Sequence, residues 1–264
     1  YKSESIINNL LIEVDSLSYR ITNIHKAYFN TSHVGLRDRL FYENKKISQR
    51  LNEIFSISKV LKKDSILVNL AKGIESDTLM TMSQIIIEEN NISNDRVVSL
   101  YGPSHAEEVV KKLPTTLVAG CVEKNTSIML QELLSSESLR IYTNEDILGV
   151  EIGGSLKNIM AIAAGICDGI GYGDNSKAAI LTRGMNEMTR LGVKMGANKP
   201  TFSGLSGIGD LLVTAYSKFS RNRMFGTYIG KGYSVKMAQM DMKMVAEGYY
   251  AVKCIKEMNK DLKV

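Results

Sequence analysis

The segment EIGGSLKN, Glu151–Asn158, sets one lysine in a run of residues that otherwise belong inside a protein. From Val150 to Ile166 the only ionisable side chains are Glu151 and Lys157, among Ile, Leu, Met, Ala and Gly. On a helix, Val150, Gly154, Lys157 and Ala161 share one face, small above and below the ammonium, so a ligand could approach the backbone closely. Burial disfavours the charged form of a lysine and lowers its pKa, which lets it trade protons near neutral pH. The alternative is a stem lying along apolar surface with its head in water.

Other groups could share a site with that amine. Lys72 follows directly on an apolar run, in AKGIE, and the carboxyl end of a strand in a parallel sheet faces the ligand crevice. The same lysine reads equally as a solvated loop residue. Gly102, Pro103, Ser104, His105 and Ala106 form a strand-to-helix turn. Gly102 would let the backbone come near a ligand, and free N–H groups at the helix start favour negative charge. A plain turn has the same spacing, and His105 reads as a base or as a structural imidazole. Asp210, in SGLSGIGDLLVT, could cap a helix or orient a lysine in a cleft. In SRNR, Ser220–Arg223, hydroxyl, guanidinium and amide groups gather at a second helix start. Such donors suit phosphate oxygens, although a solvated basic turn looks alike. Together, a lysine, a carboxylate and an arginine–serine–asparagine cluster suit a small phosphorylated substrate.

Positioning these groups takes two kinds of structure in succession. SILVNLA (Ser65–Ala71), RVVSLYG (Arg96–Gly102), TTLVAGC (Thr115–Cys121) and LRIYT (Leu139–Thr143) read as strands. Helices are predicted in SQRLNEIFSISKVL, after Gly102 and near Asn125–Ser135, so the alternation points to an α/β layer with a largely parallel sheet. After Asn144 no strand pattern recurs, and helices are predicted over 146–168, 175–196, 206–217, 220–229 and 244–259. That change predicts a domain boundary near residues 144–150. Residues 1–46 are polar, and Asn30–Lys46 shows no sustained period.

Composition bounds the partners. With 264 residues, 44% of them hydrophobic, the chain can build an adequate core in one large domain or two ordinary ones. A net charge of +5 spread without a dense basic block argues against nucleic acid and for an anionic small ligand. Cys121, Cys167 and Cys254 are odd in number and far apart, the pattern of core thiols in a reducing cytoplasm. No apolar run reaches the roughly 18 residues that span a bilayer, and no signal peptide opens the chain. Tyr1 at one end and a helix just before Val264 at the other lead to the expectation that either end is a cut.

In order, KGIE (Lys72–Glu75), GPSHAEEV (Gly102–Val109), YTNEDILGVEIGGSLKNIMAIAAGICDGIGYGDN (Tyr142–Asn175), GLSGIGDLLVT (Gly204–Thr214), SRNRMFG (Ser220–Gly226) and MVAEGYYAVK (Met244–Lys253) resemble bacterial NAD(P)-dependent glycerol-3-phosphate dehydrogenase. The resemblance runs from about residue 47 to 264. It implies an incomplete Rossmann-type parallel sheet in a partial dinucleotide-binding domain, 1–145, followed by an all-helical substrate and dimerisation domain, 146–264. It also implies reduction of dihydroxyacetone phosphate to sn-glycerol 3-phosphate for phospholipid synthesis, NAD or NADP as cofactor, a homodimer and a cytoplasmic location. By motif, Lys157 would be the proton donor and acceptor, with Asn158 beside it and Asp210 near the reacting oxygen. Lys72 would contact substrate and cofactor; Gly102, Ser104, Ser220, Arg221 and Asn222 would hold substrate. Ala106, Arg221, Val245 and Glu247 would complete the cofactor site, with Thr214 as a further neighbour.

The chain departs from the family at its start. Residues 1–46 contain a single glycine, Gly35, and no G-x-G-x-x-G/A turn; the helices that follow the VAEG segment in the family are missing too. Without that turn, pyrophosphate loses its backbone cradle and helix-terminus charge, so this chain is expected to bind NAD(P)H weakly or not at all. A catalytically silent metabolite-binding or dimerisation fragment is the competing reading. A related dehydrogenase for a hydroxyacid or ketopantoate is disfavoured by SRNR and GLSGIGD occurring together.

Overall fold

A computed structural model describes residues 64–76, 78–242 and 246–263, and strands form there where the short apolar runs predict them. Residues 1–46, the helix expected in SQRLNEIFSISKVL and Val245 lie outside the described residues. In chain order the elements are β1 (Leu67–Asn69), α1 (Met82–Asn90), β2 (Val97–Tyr101), α2 (Ala106–Val109), β3 (Thr115–Gly120), α3 (Lys124–Leu134) and β4 (Leu139–Asn144). There follow α4 (Ile147–Ile170), α5 (Asp174–Lys194), α6 (Lys199–Phe202), a π-turn (Leu205–Gly209), α7 (Asp210–Tyr216), α8 (Arg221–Gly230), α9 (Val235–Asp241) and α10 (Glu247–Leu262). All described residues fall in one compact unit, Asp64–Val264.

The sheet runs β1-β2-β3-β4. Pairs β1–β2 and β3–β4 are parallel, whereas β2–β3 is antiparallel. That reversal has a local cause. Between Tyr101 and Thr115 the only regular element is the four-residue α2, too short to carry the chain back along the sheet for a parallel return. Strand β2, VVSLY, is buried at every position, as a central strand covered on both faces must be.

Helix α4 is the axis of the helical part and packs against α5, α7, α8 and α10. Its start is fixed by Asp146, whose Oδ1 accepts from the Gly149 N–H at 2.9 Å and whose Oδ2 accepts from the Thr201 hydroxyl at 2.6 Å. Its end is a left-handed Gly171, φ 87°, a conformation that suits glycine. By length and composition α4 could cross a membrane, although Glu151 and Lys157 interrupt its apolar run; 72% of its apolar stretch is buried inside the protein, as in a core helix. The three cysteines are free and buried.

Three helices are not expected from the sequence: α1, α9 and the single turn of α6, which Pro200 opens. In α1 the consecutive Ile85, Ile86 and Ile87 hide any period, and its start is held instead by Gln84 Oε1 accepting from the Thr81 N–H at 2.9 Å. Helix α9 spans only seven residues, capped by Ser234. The helix predicted over 206–217 is divided, with the glycines of GLSGIG taken up in the π-turn before α7.

Candidate active site

The carboxyl ends of β1 and β2 deliver Lys72 and the turn at Gly102 to one cavity of about 650 Å³, and α4, α7, α8 and α10 supply its other walls. Gly102 has φ +150°, and a Cβ there would stand 3.0 Å from the Thr116 carbonyl oxygen, so the turn requires glycine. Lys72, Gly102, Ser104, Ala106, Lys157, Asn158, Asp210, Thr214, Ser220, Arg221, Asn222 and Glu247 all line this cavity, which brings together every expected site residue that the structure describes.

Lys157 is 6% exposed, so its head does not reach bulk water. It donates to Asp210 Oδ1 at 2.5 Å and to the Thr214 hydroxyl at 2.5 Å. Thr214 stands one turn after Asp210 on α7, and its hydroxyl donates to the Asp210 backbone carbonyl at 2.7 Å. An ammonium has three donors, so among the described residues one N–H of Lys157 remains for a ligand. Burial pulls its pKa down to about 8; Asp210 opposes that drop and Lys72 adds to it. Asp210, 1% exposed, presents Oδ2 to Lys72 at 2.6 Å. The N-cap of α7 is Gly209, so the carboxylate orients lysines rather than capping the helix.

The SRNR segment opens α8. The Ser220 hydroxyl accepts from the Arg223 N–H at 3.2 Å and caps the helix, while Arg221 pairs with Glu247 at 3.1 Å. Glu247 also accepts from the Asn158 amide at 3.1 Å, and Asn222 Oδ1 accepts from the Gly248 N–H at 2.8 Å, which ties α4, α8 and α10 at the cavity wall. Arg223 does not line the cavity. It pairs with Asp168 at 2.7 Å, and Lys177 bonds the other oxygen of that carboxylate. Burial pushes Asp168 up, but the bonds from Lys177 and Arg223 outweigh it and hold the carboxyl below its ordinary range.

One reading of the sequence is altered. The space over Gly154 does not admit a ligand: a Cβ there would lie 2.5 Å from the Tyr101 ring, so Tyr101 occupies it. His105 lines the cavity with its ring 6.2 Å from that of Phe219, and its Nε2 is buried without a hydrogen-bond partner in the structure. The carboxylate of Glu151, also on α4, was named in the sequence without a role; it gathers Asn69, Ser83 and Ser99 behind the cavity. Its partners are ordinary polar residues at no fixed spacing, and no pattern announces them.

Fold and cavity together define an α/β protein with an appended helical layer, built round a cleft that gathers charged and polar side chains. Residues 47–127 match the model of the NAD-dependent glycerol-3-phosphate dehydrogenase N-terminus, and residues 146–264 that of its C-terminus. Glycerol-3-phosphate dehydrogenase, NAD(P)+, of Clostridium perfringens is 53% identical over 195 residues, covering 74% of this chain and 58% of that protein. The protein of the same name from Fusobacterium nucleatum is 50% identical over 198 residues, covering 75% of this chain and 59% of its own length. A crystal structure of glycerol-3-phosphate dehydrogenase from Coxiella burnetii superposes with a TM-score of 0.74 at 33% identity, over 81% of this chain and 65% of that one. The chain belongs to the NAD-dependent glycerol-3-phosphate dehydrogenase family and spans less than two thirds of the length of these relatives.

Proposed function

We propose that this protein reduces dihydroxyacetone phosphate to sn-glycerol 3-phosphate with NADH or NADPH, a step toward phospholipids. One observation carries the reading: a buried lysine, held by Asp210 at 2.5 Å, faces a cavity shared with Ser220, Arg221 and Asn222. The relatives' names support the same reaction.

Hydride transfer is the chemistry a nicotinamide supplies when bound. Lys72, Ala106, Arg221 and Glu247 meet on the one cavity and fit that end of the cofactor, with Val245 as a further expected contact. A ketone carbon that accepts hydride leaves negative charge on its oxygen. The remaining N–H of Lys157 stabilises that charge and then protonates it. The amine that results keeps Asp210 and Thr214 as partners, and burial favours its neutral form. Asp210 fixes both amines, one at each oxygen. Ser220, Arg221 and Asn222 receive the phosphate, and Gly102, Ser104 and Asn158 complete the contacts; such positioning can supply several kcal/mol of the barrier reduction.

The same reading divides the chain into a partial dinucleotide-binding domain, 1–145, and a helical substrate domain, 146–264, supported by the separate matches to the two halves of the family. It also includes a homodimer in the cytoplasm, for which the exposed Ile170, Tyr172, Leu212 and Tyr216 of the helical part offer apolar surface. A catalytically silent metabolite-binding or dimerisation chain is the second reading, favoured by Gly35 being the single glycine in residues 1–46.

NADH consumption with dihydroxyacetone phosphate decides between them. Turnover by the wild type at millimolar NADH, abolished in Lys157→Met with an unchanged circular dichroism spectrum, is the expected result. Turnover retained by that variant removes Lys157 from the chemistry, and none in the wild type favours the silent chain.

A further inference from the structure

Glu151 is the other ionisable residue in the apolar run of α4, and it is wholly buried, 0% exposed. Among the described residues no cation pairs with it. Neutral donors converge on it instead. Its Oε1 accepts from the Ser83 N–H at 2.9 Å, the Ser99 hydroxyl at 2.6 Å and the Asn69 amide at 3.4 Å, and its Oε2 accepts from the Ser83 hydroxyl at 2.6 Å. Stability alone is served as well or better by hydrocarbon at such a position, because a buried carboxylate forfeits its hydration. The bonds it makes lead somewhere.

The two N–H groups of Asn69 are shared between Glu151 and three further acceptors, the Ala71 carbonyl at 3.2 Å, the Tyr101 hydroxyl at 3.2 Å and the Ser99 hydroxyl at 3.4 Å, while its Oδ1 accepts from the Ala71 N–H at 2.9 Å. The Tyr101 hydroxyl donates to the same Ala71 carbonyl. Both backbone groups of Ala71 are therefore held by side chains that trace back to Glu151. The next residue is Lys72, whose amine lies 5.4 Å from the Tyr101 ring centre and bonds Asp210 at 2.6 Å.

We infer that Glu151 is a positioning residue of the cleft: through Asn69 and Tyr101 it fixes Ala71 and so aims Lys72 at Asp210. The value of that aim rests on the function proposed above, but the aim itself is independent of turnover and is tested without it. The ligand-free chain is labelled with acetic anhydride and each lysine is followed by mass spectrometry. Lys72 is 18% exposed in its side chain and paired, so it labels slowly beside Lys260, at 62%. In Glu151→Met both acceptor oxygens are lost, the Ala71 segment loosens, and Lys72 labels about fivefold faster relative to Lys260 while Lys177, buried and paired with Asp168, does not change. Glu151→Asp keeps a carboxylate but draws it back from Asn69, gives the same selective rise, and decides the matter if Glu151→Met fails to fold. An unchanged Lys72 rate in the folded variants, or a rise shared by every lysine, overturns the inference. Absence of turnover in the wild type overturns only the proposed reaction.

Discussion

Asp210 and Thr214 take two of the three N–H groups of Lys157, and burial brings its pKa to about 8, so its protonation state changes in an accessible pH range. The sign differs with direction. Under the proposed function, ketone reduction needs the ammonium, so its kcat/KM falls about tenfold per pH unit above that value; oxidation of glycerol 3-phosphate needs the free amine, and its kcat/KM rises up to it. Initial rates in both directions across neutral to alkaline pH check this, and parallel profiles in the two directions count against Lys157 as the group that moves the proton. The lysine was legible because a lone cation in an apolar run is conspicuous. Asp210 was legible only as one of two alternatives, and the choice came from where α7 begins. Glu151 was as conspicuous as Lys157, but its partners come from β1, β2 and α1, and only the fold assembles them.

Helix α8 carries Ser220, Arg221 and Asn222 at its start, so the site inherits the precision with which α8 meets α4. That crossing is made backbone to backbone: a Cβ on Gly165 or Gly169 would strike Arg223 or Thr227, and one on Gly226 or Gly230 would strike Ile162 or Ile166. Gly→Ala in an open helix interior gains about 1 kcal/mol of propensity. At Gly226 the new methyl meets backbone that cannot rotate away, and overpacking of this kind costs about 1–3 kcal/mol or more. Steric cost wins. Gly226→Ala is expected to lower stability by about 2 kcal/mol in urea denaturation. By shifting the SRNR segment it also raises KM for the phosphorylated substrate more than it lowers kcat. Equal or greater stability in the variant shows that the helices can separate without strain. The strands and the long helices, by contrast, followed from apolar runs and periodicity. The glycines read in sequence only as punctuation, since which helix each one meets is a property of packing.

At the level of the whole chain, the two ends of a dinucleotide are unequally provided for. In the proposed function Lys72, Ala106, Arg221 and Glu247, which line one cavity, form the wall for the nicotinamide end. The pyrophosphate end depends on a glycine turn and helix start, and residues 1–46 hold Gly35 alone. A helix terminus contributes about 1 kcal/mol to a bound anion, and each charge-assisted N–H bond about 1.5–3 kcal/mol. Losing the terminus and two such bonds removes about 4 kcal/mol or more, which is about a thousandfold and turns a micromolar Kd into a millimolar one. The substrate pocket draws on none of those groups. Calorimetry on the 264-residue chain is therefore expected to detect dihydroxyacetone phosphate binding that Arg221→Ala weakens, while NADH fluorescence titration shows no saturation in the micromolar range. Micromolar NADH binding overturns this and means that another segment cradles the pyrophosphate. Loss of both ligands instead means that the substrate cleft depends on an occupied cofactor site.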